Sequence, residues 1–112
     1  MVQPSSRRAT PEIGVEELDR FLRAGGVRLL DVREAWEYRR GRVPGSLNVP
    51  LSQFARQAAS LPRDKRILVI CESGSRSLAA TDFLLTSGFD GVASVRGGTD
   101  AWARSNRPLE RE

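Results

Sequence analysis

Residues 67–77 read ILVICESGSRS and decide the fold class. The first four residues are apolar and mostly β-branched, which is typical of a buried strand. Small and polar residues then predict a short loop, and Ser77 is interpreted as the N-cap of a following helix. A strand, a loop and a helix N-terminus around Cys71 direct backbone N–H groups at its sulfur, where they favour a thiolate and any anion bound to it. The segment therefore predicts chemistry through a covalent cysteine intermediate.

Short apolar segments alternate along the chain with segments of helical spacing. The strand-like segments are 27–32, 46–49, 67–71 and 92–95, and the helical segments are 14–24, 51–61, 77–87 and 99–104. Residues 34–40 form a short connection that is compatible with a helix. This alternation is typical of an α/β domain in which helices cover both faces of a parallel sheet. Asp31 and Cys71 both lie at the carboxyl ends of predicted strands, so we expect them on the same rim of the sheet. Sheets of this kind bind their ligands at that rim. The apolar side chains of the helix predicted at 77–87, Phe83 among them, are expected to be buried.

The chain is predicted to form one domain, since 112 residues suffice for a single core. The polar residues 1–9 predict a flexible N-terminal tail, residues 10–108 form the domain, and residues 109–112 are a C-terminal tail.

Composition excludes several classes of protein. All of the 18 basic residues except Lys65 are arginines, and their scatter without clustered aromatics argues against a nucleic-acid partner. No apolar run reaches the length of a membrane span, so no membrane partner is expected. The chain contains no histidine and one cysteine, which rules out a Cys–His pair, an internal disulfide and a structural zinc site. We therefore predict a cytoplasmic protein without a metal or cofactor, in a compartment that keeps Cys71 reduced.

Three ordered stretches resemble the signatures of rhodanese domains. They are Asp31–Glu34 with Glu37-Tyr38 and Gly41–Pro50, then the loop Cys71–Ser77, and finally Gly88-Phe89 with Val95–Gly98 and Trp102. The resemblance runs from about residue 10 to residue 105. It implies a rhodanese-like three-layer α/β fold, with a parallel sheet of about five strands and helices on both faces.

The same resemblance implies a sulfurtransferase that needs no cofactor. Cys71 would take a sulfane sulfur from thiosulfate, a persulfide or a polysulfide, and would pass it to an external acceptor such as cyanide, a thiol or a protein. The active-site loop that surrounds this sulfur would consist of Glu72, Ser73, Gly74, Ser75, Arg76 and Ser77.

Two other functions compete with sulfur transfer. One is a non-catalytic rhodanese-like module that binds or regulates a partner, which the presence of Cys71 in a small-residue loop disfavours. The other is a cysteine phosphatase or arsenate reductase, because related enzymes of both kinds share this fold. Their loops place five residues between cysteine and arginine, whereas four lie between Cys71 and Arg76. A tetrahedral oxyanion needs the wider loop, so the shorter one favours a single sulfur atom.

Charged residues near the loop are assigned supporting roles. Arg76 either offers positive charge to an anionic donor or pairs with Asp31 or Glu37, and we favour the pairing. Asp31 is interpreted as a loop anchor, and Arg33 as either a donor-binding residue or part of a surface ion pair. Glu72 directly follows the nucleophile and would repel dianionic thiosulfate. We therefore expect thiosulfate to be a weak donor.

Overall fold

The computed structural model describes residues 10–112, so the predicted tail 1–9 lies outside the described residues. Five strands and five helices alternate along this part of the chain. The strands are β1 (Glu12–Ile13), β2 (Val27–Asp31), β3 (Leu47–Asn48), β4 (Arg66–Ile70) and β5 (Ala93–Val95). The helices are α1 (Val15–Ala24), α2 (Ala35–Arg40), α3 (Leu51–Ala58), α4 (Ser75–Thr86) and α5 (Gly98–Arg104).

The strands form one sheet of order β1-β5-β4-β2-β3, and every neighbouring pair is parallel. Asp31 on β2 lies opposite Ile70 on β4, so these two strands end at the same edge of the sheet. The predicted α/β fold with a parallel sheet of about five strands is confirmed. The register also places Cys71, the residue after β4, on the rim where Asp31 lies.

Apolar side chains cover both faces of the sheet. Val69 and Cys71 belong to a buried cluster shared with α3 and α4, whereas Leu68 and Ile70 belong to a second cluster shared with α1 and α5. Successive residues of a strand point to opposite faces, so β4 is buried on both sides and forms the centre of three layers. This explains why its sequence is a continuous apolar run rather than an alternating one.

The structure differs from the sequence prediction in three points. The two-residue strand β1 was not predicted, because it is too short for a periodic pattern. Helix α4 begins at Ser75, two residues earlier than expected. Phe83 was predicted to be buried but is 39% exposed, because α4 faces the sheet with Ser77, Ala80, Thr81 and Leu84. Small residues on that face let the helix lie close to the sheet.

The last residues of the chain contact the domain. Leu109 packs against the cluster shared with α1 and α5, and the backbones of Glu110 and Arg42 form an isolated antiparallel bridge. Across residues 10–112, none of the helices has the length and apolar character needed to cross a bilayer.

Candidate active site

Cys71 lies at the carboxyl end of β4, with its side chain 1% exposed. Its Sγ accepts hydrogen bonds from the backbone N–H of Gly74 at 3.1 Å and of Ser77 at 3.3 Å. Charged acceptors gain most from such donors, so both contacts strengthen when the thiol becomes a thiolate. The backbone nest predicted around the sulfur is therefore present, and it is built by the loop and the first turn of α4.

The start of α4 corrects the role of Ser77. The N-cap is Gly74, whose φ of 117° is one that L side chains rarely adopt, and Ser77 is the third residue of the helix. From there the Ser77 Oγ lies 3.4 Å from the Cys71 Sγ and donates to the Gly74 carbonyl at 3.0 Å. Glycine permits the sharp turn that begins the helix early, and this brings a hydroxyl to the sulfur instead of to a cap.

Four further amides of the loop have no protein acceptor within residues 10–112. They are the N–H groups of Glu72, Ser73, Ser75 and Arg76. Glu72, Ser73 and Ser75 are exposed and Arg76 is half-buried, so their N–H groups are accessible, and N–H groups at a helix N-terminus attract anions. The loop therefore offers donors to an anionic group attached to Cys71.

Helix α5 orients two of these amides, the N–H groups of Glu72 and Ser73. The N–H of Thr99 donates to the Cys71 carbonyl at 2.9 Å, and the N–H of Asp100 donates to the Glu72 carbonyl at 3.0 Å. Within a trans peptide the C=O and the next N–H point in opposite directions. Carbonyls turned toward α5 thus turn the following N–H groups away from it. A Cβ on Gly98 would lie 2.2 Å from the Cys71 carbonyl oxygen, so this close contact requires glycine.

Arg76 forms a two-pronged ion pair with Glu37 of α2. Its Nη1 and Nη2 lie 2.8 and 3.0 Å from the two carboxylate oxygens. The hydrogen bonds from Arg76 lower the pKa of Glu37 to about 2, helped by the Glu34 N–H and opposed by burial. The same pair raises the pKa of Arg76. Of the two partners considered from the sequence, Glu37 and not Asp31 contacts Arg76.

Asp31 pairs with Arg33 instead. Its carboxylate accepts from Arg33 Nη2 at 2.7 Å and from the Arg33 N–H at 2.9 Å, which fixes the turn after β2. Arg33 also donates to the Gly41 carbonyl at 2.7 Å. Both side chains are buried, so the ion pair is internal rather than at the surface as the sequence analysis considered.

A cleft of about 270 Å³ opens at Glu72, beside the loop, and is lined by Arg33, Trp36, Glu37, Arg40, Glu72, Thr99 and Asp100. Glu72 is 55% exposed there and lies 4.0 Å from Arg76, whose guanidinium is already held by Glu37. The Arg40 guanidinium lies over the ring of Trp36. Asp100, which the sequence analysis did not select, adds a second carboxylate, because only the fold brings it beside Glu72.

Ser94 of β5 was also missed by the sequence analysis. It is fully buried, and its Oγ lies 2.7 Å from the Ser77 Oγ. A single serine in an apolar strand carries no signal of such a contact. Among residues 10–112, no group of three or more Cys, Asp or Glu side chains is arranged to hold a metal ion.

Both the sequence and the fold of this chain match known proteins. The family model described as a rhodanese-like domain matches residues 14–105. A sulfurtransferase of Allochromatium vinosum is 33% identical over 99 residues, which are 88% of this chain and 92% of that protein. Thiosulfate sulfurtransferase 16 of Arabidopsis thaliana is 37% identical over 97 residues, which cover 76% of this chain and 81% of that protein. The crystal structure of a rhodanese-related protein from Thermoplasma volcanium superposes with a TM-score of 0.84 at 33% identity, and the match covers 91% of this chain and 99% of that protein.

The contact between α5 and the loop can be tested at Gly98. Gly98→Ala is expected to lower the free energy of unfolding by about 3 kcal/mol or more, because the added methyl overlaps backbone atoms. Gly88→Ala is the matched control: its φ is also positive, but a Cβ there would have no atom of residues 10–112 within 4 Å, so a loss of about 1 kcal/mol is expected. Urea unfolding measures both, and equal losses would contradict the close contact.

The Glu37–Arg76 pair predicts a pH dependence of stability. The carboxylate form of Glu37 stabilises the fold above its ordinary pKa of 4.5, and that stabilisation is lost as the pH falls toward about 2. Glu37→Gln should therefore cost about 1–2 kcal/mol at neutral pH, and the difference from wild type should shrink below pH 4.5. Urea unfolding across this range measures the difference.

Asp64→Asn serves as the control for that experiment, because it removes the exposed ion pair with Arg28. Its effect on stability should be smaller than that of Glu37→Gln. A Glu37→Gln difference that stays constant with pH would exclude the assigned ion pair.

Proposed function

The chain belongs to the rhodanese-like domain family, and from this premise we propose that it is a sulfurtransferase that carries a sulfane sulfur on Cys71 as a persulfide. The observation that supports the proposal most directly is the set of backbone donors around the sulfur. Two N–H groups contact Sγ, and four more in the same loop have no protein acceptor within the described residues. They are suited to the negative charge of a thiolate and of a persulfide.

Loading of the sulfur is a displacement at a sulfane sulfur. With thiosulfate as donor, the Cys71 thiolate attacks the outer sulfur and forms a new S–S bond. The bond between that sulfur and the sulfonyl sulfur breaks, and sulfite leaves with the electron pair. The product is a Cys71 persulfide anion, and no proton has to move. This agrees with a site in which no histidine is available as a general base.

Unloading repeats the displacement in the other direction. A nucleophile such as cyanide or an external thiolate attacks the terminal sulfur of the persulfide, and the Cys71 thiolate leaves with the electron pair. The products are thiocyanate or a new persulfide. Because the chain has no second cysteine, the acceptor has to come from another molecule. Sulfur transfer needs a reduced Cys71 thiol, and because the cytoplasm keeps thiols reduced, we propose the cytoplasm as the location of this protein.

The loop length supports sulfur rather than phosphate or arsenate as the group bound to Cys71. Four residues separate Cys71 from Arg76. Arg76 is held by both oxygens of Glu37, so its guanidinium does not face the sulfur as an unpaired cation. A tetrahedral oxyanion would need both a wider ring of amides and that charge.

The charges of the cleft argue for a donor other than thiosulfate. Glu72 and Asp100 line the opening together with Arg40, whereas the positive charges of Arg33 and Arg76 are paired with Asp31 and Glu37, so one net negative charge remains at the opening. A net negative charge repels a dianion more strongly than it repels a neutral or singly charged donor. A low-molecular-weight persulfide or a protein-borne sulfur therefore fits the opening better than thiosulfate.

The persulfide itself can be detected by mass spectrometry. After treatment with polysulfide and removal of excess reagent, wild type should gain about 32 Da, the mass of one sulfur atom expected from nucleophilic capture. Cys71→Ser should gain nothing, and cyanide should remove the adduct from wild type with formation of thiocyanate. If wild type gains no mass, the chain is better explained as a non-catalytic module.

The charge of Glu72 can be tested by steady-state kinetics with thiosulfate. Glu72→Gln is expected to lower the Michaelis constant about two- to fivefold at low ionic strength, and the effect should fade at high salt. Asp100→Asn should act in the same direction. Glu110→Gln is the control, since it removes an exposed carboxylate that pairs with Arg42 and does not line the cleft. An unchanged Michaelis constant for thiosulfate in Glu72→Gln would contradict repulsion of the donor by Glu72.

A further inference from the structure

Ser94 is a buried hydroxyl that the proposed chemistry does not yet use. It lies in β5 between Ala93 and Val95, and all three residues are fully buried. Burial of a hydroxyl in an apolar strand is costly unless the hydroxyl is hydrogen bonded. Its partner is the Ser77 Oγ at 2.7 Å, and that oxygen lies 3.4 Å from the Cys71 Sγ. The three polar atoms thus form a chain that leads from the sheet to the sulfur.

The direction of the hydrogen bonds follows from counting protons. Within residues 10–112, the Ser94 Oγ has the Ser77 Oγ as its one hydrogen-bond partner. If Ser77 donated to Ser94, the proton of Ser94 would be buried without an acceptor. Ser94 therefore donates to Ser77. The Ser77 proton then has two acceptors in reach, the Gly74 carbonyl at 3.0 Å and the Cys71 sulfur.

The preferred acceptor depends on the charge of the sulfur. A neutral thiol can donate a hydrogen bond to the Ser77 Oγ. The Ser77 hydroxyl then keeps its own hydrogen bond to the Gly74 carbonyl. A thiolate has no proton to give and becomes the stronger acceptor, so the Ser77 proton turns toward it. The donation from Ser94 continues in both states and polarises the Ser77 O–H, which strengthens its bond to the thiolate.

We infer that Ser94 is a positioning residue that acts through Ser77 and stabilises the thiolate of Cys71. The inference deepens the sulfur-transfer function proposed above and rests on it for its biological meaning, because the thiolate is both the attacking group and the leaving group. Ser94 does not touch the sulfur itself.

Charged groups reach the surroundings of Cys71 from several elements. Glu72 lies on the loop, Arg76 on α4, Glu37 and Arg40 on α2 and Asp100 on α5, and the buried Asp31–Arg33 pair lies at the end of β2. None of these side chains is hydrogen bonded to the Ser94 hydroxyl. Removing that hydroxyl therefore leaves the charged contacts of the site in place, and a changed reactivity of Cys71 would come through Ser77.

The test is the rate at which iodoacetamide alkylates Cys71, measured over a range of pH. Ser94→Ala should move the midpoint of this profile to higher pH and slow alkylation at mildly acidic pH about three- to tenfold. Ser94→Thr, which keeps the hydroxyl, should retain the wild-type profile. If Ser94→Ala does not fold, Ser94→Val removes the same hydroxyl with a residue that favours strands.

Thr81→Val is the matched control. Thr81 is equally buried and its Oγ1 donates to the Ser77 carbonyl at 2.7 Å, so the substitution removes a buried hydroxyl next to Ser77 without touching the chain of hydroxyls. Its alkylation profile should coincide with that of wild type. A shift equal to that of Ser94→Ala would mean that any loss of buried polarity has this effect, and would overturn the inference.

A double-mutant cycle gives the decisive comparison. Ser77→Ala should shift the profile at least as far as Ser94→Ala, and the double variant should shift no further than Ser77→Ala alone. Additive shifts, or a wild-type profile in folded Ser94→Ala, would overturn the role of Ser94. Alkylation does not require sulfur transfer. A shifted profile in a protein that never forms the persulfide would therefore retain this inference and reject the proposed function.

Discussion

The direction of two backbone carbonyls controls the site. Those of Cys71 and Glu72 accept N–H groups from Thr99 and Asp100, so the peptide N–H groups that follow face away from α5. This arrangement needs α5 to approach the loop so closely that Gly98 has no room for a side chain. The proposed nucleophile is therefore surrounded by backbone dipoles that are fixed before any substrate arrives: α5 holds the peptides of Glu72 and Ser73, and the N–H groups of Gly74 and Ser77 contact the sulfur. Such preorganised dipoles lose no free energy to reorganisation during the reaction.

Ion pairs around the rim complete the support and also shape the charge of the cleft. Glu37 holds Arg76, and Asp31 holds Arg33, so the two arginines nearest the loop have their positive charge balanced. The remaining carboxylates at the opening come from Glu72 and Asp100. In the proposed chemistry the amides favour an anion on the sulfur itself, whereas the net negative charge of the opening would disfavour a dianion that approaches from solvent. These two preferences are compatible because dipolar contacts act at hydrogen-bond distance, while charge repulsion acts over the whole cleft.

Much of the fold was predictable because β4 has an unusual pattern. A continuous apolar run that ends in a cysteine, small residues and a helix indicates a strand buried on both faces, and the parallel sheet confirms this. Local patterns were less successful within α4. Phe83 is apolar but exposed, whereas Ser77 and Thr81 are polar but buried. Their hydroxyls find partners inside the structure, and hydrophobicity alone cannot report such partners.

The sequence by itself determined the order of the strands and helices that follow β1, the position of Cys71 at a strand end and the length of the loop that follows it. These are local properties, set by side-chain pattern and by the number of residues between two groups. Only the tertiary structure decided that Arg76 pairs with Glu37 rather than Asp31, and that Ser94 meets Ser77. In each case the partners are far apart in the chain. They meet because parallel strand pairing and helix packing bring distant segments to one edge of the sheet, and periodicity reports which residues are buried but not which residues they contact.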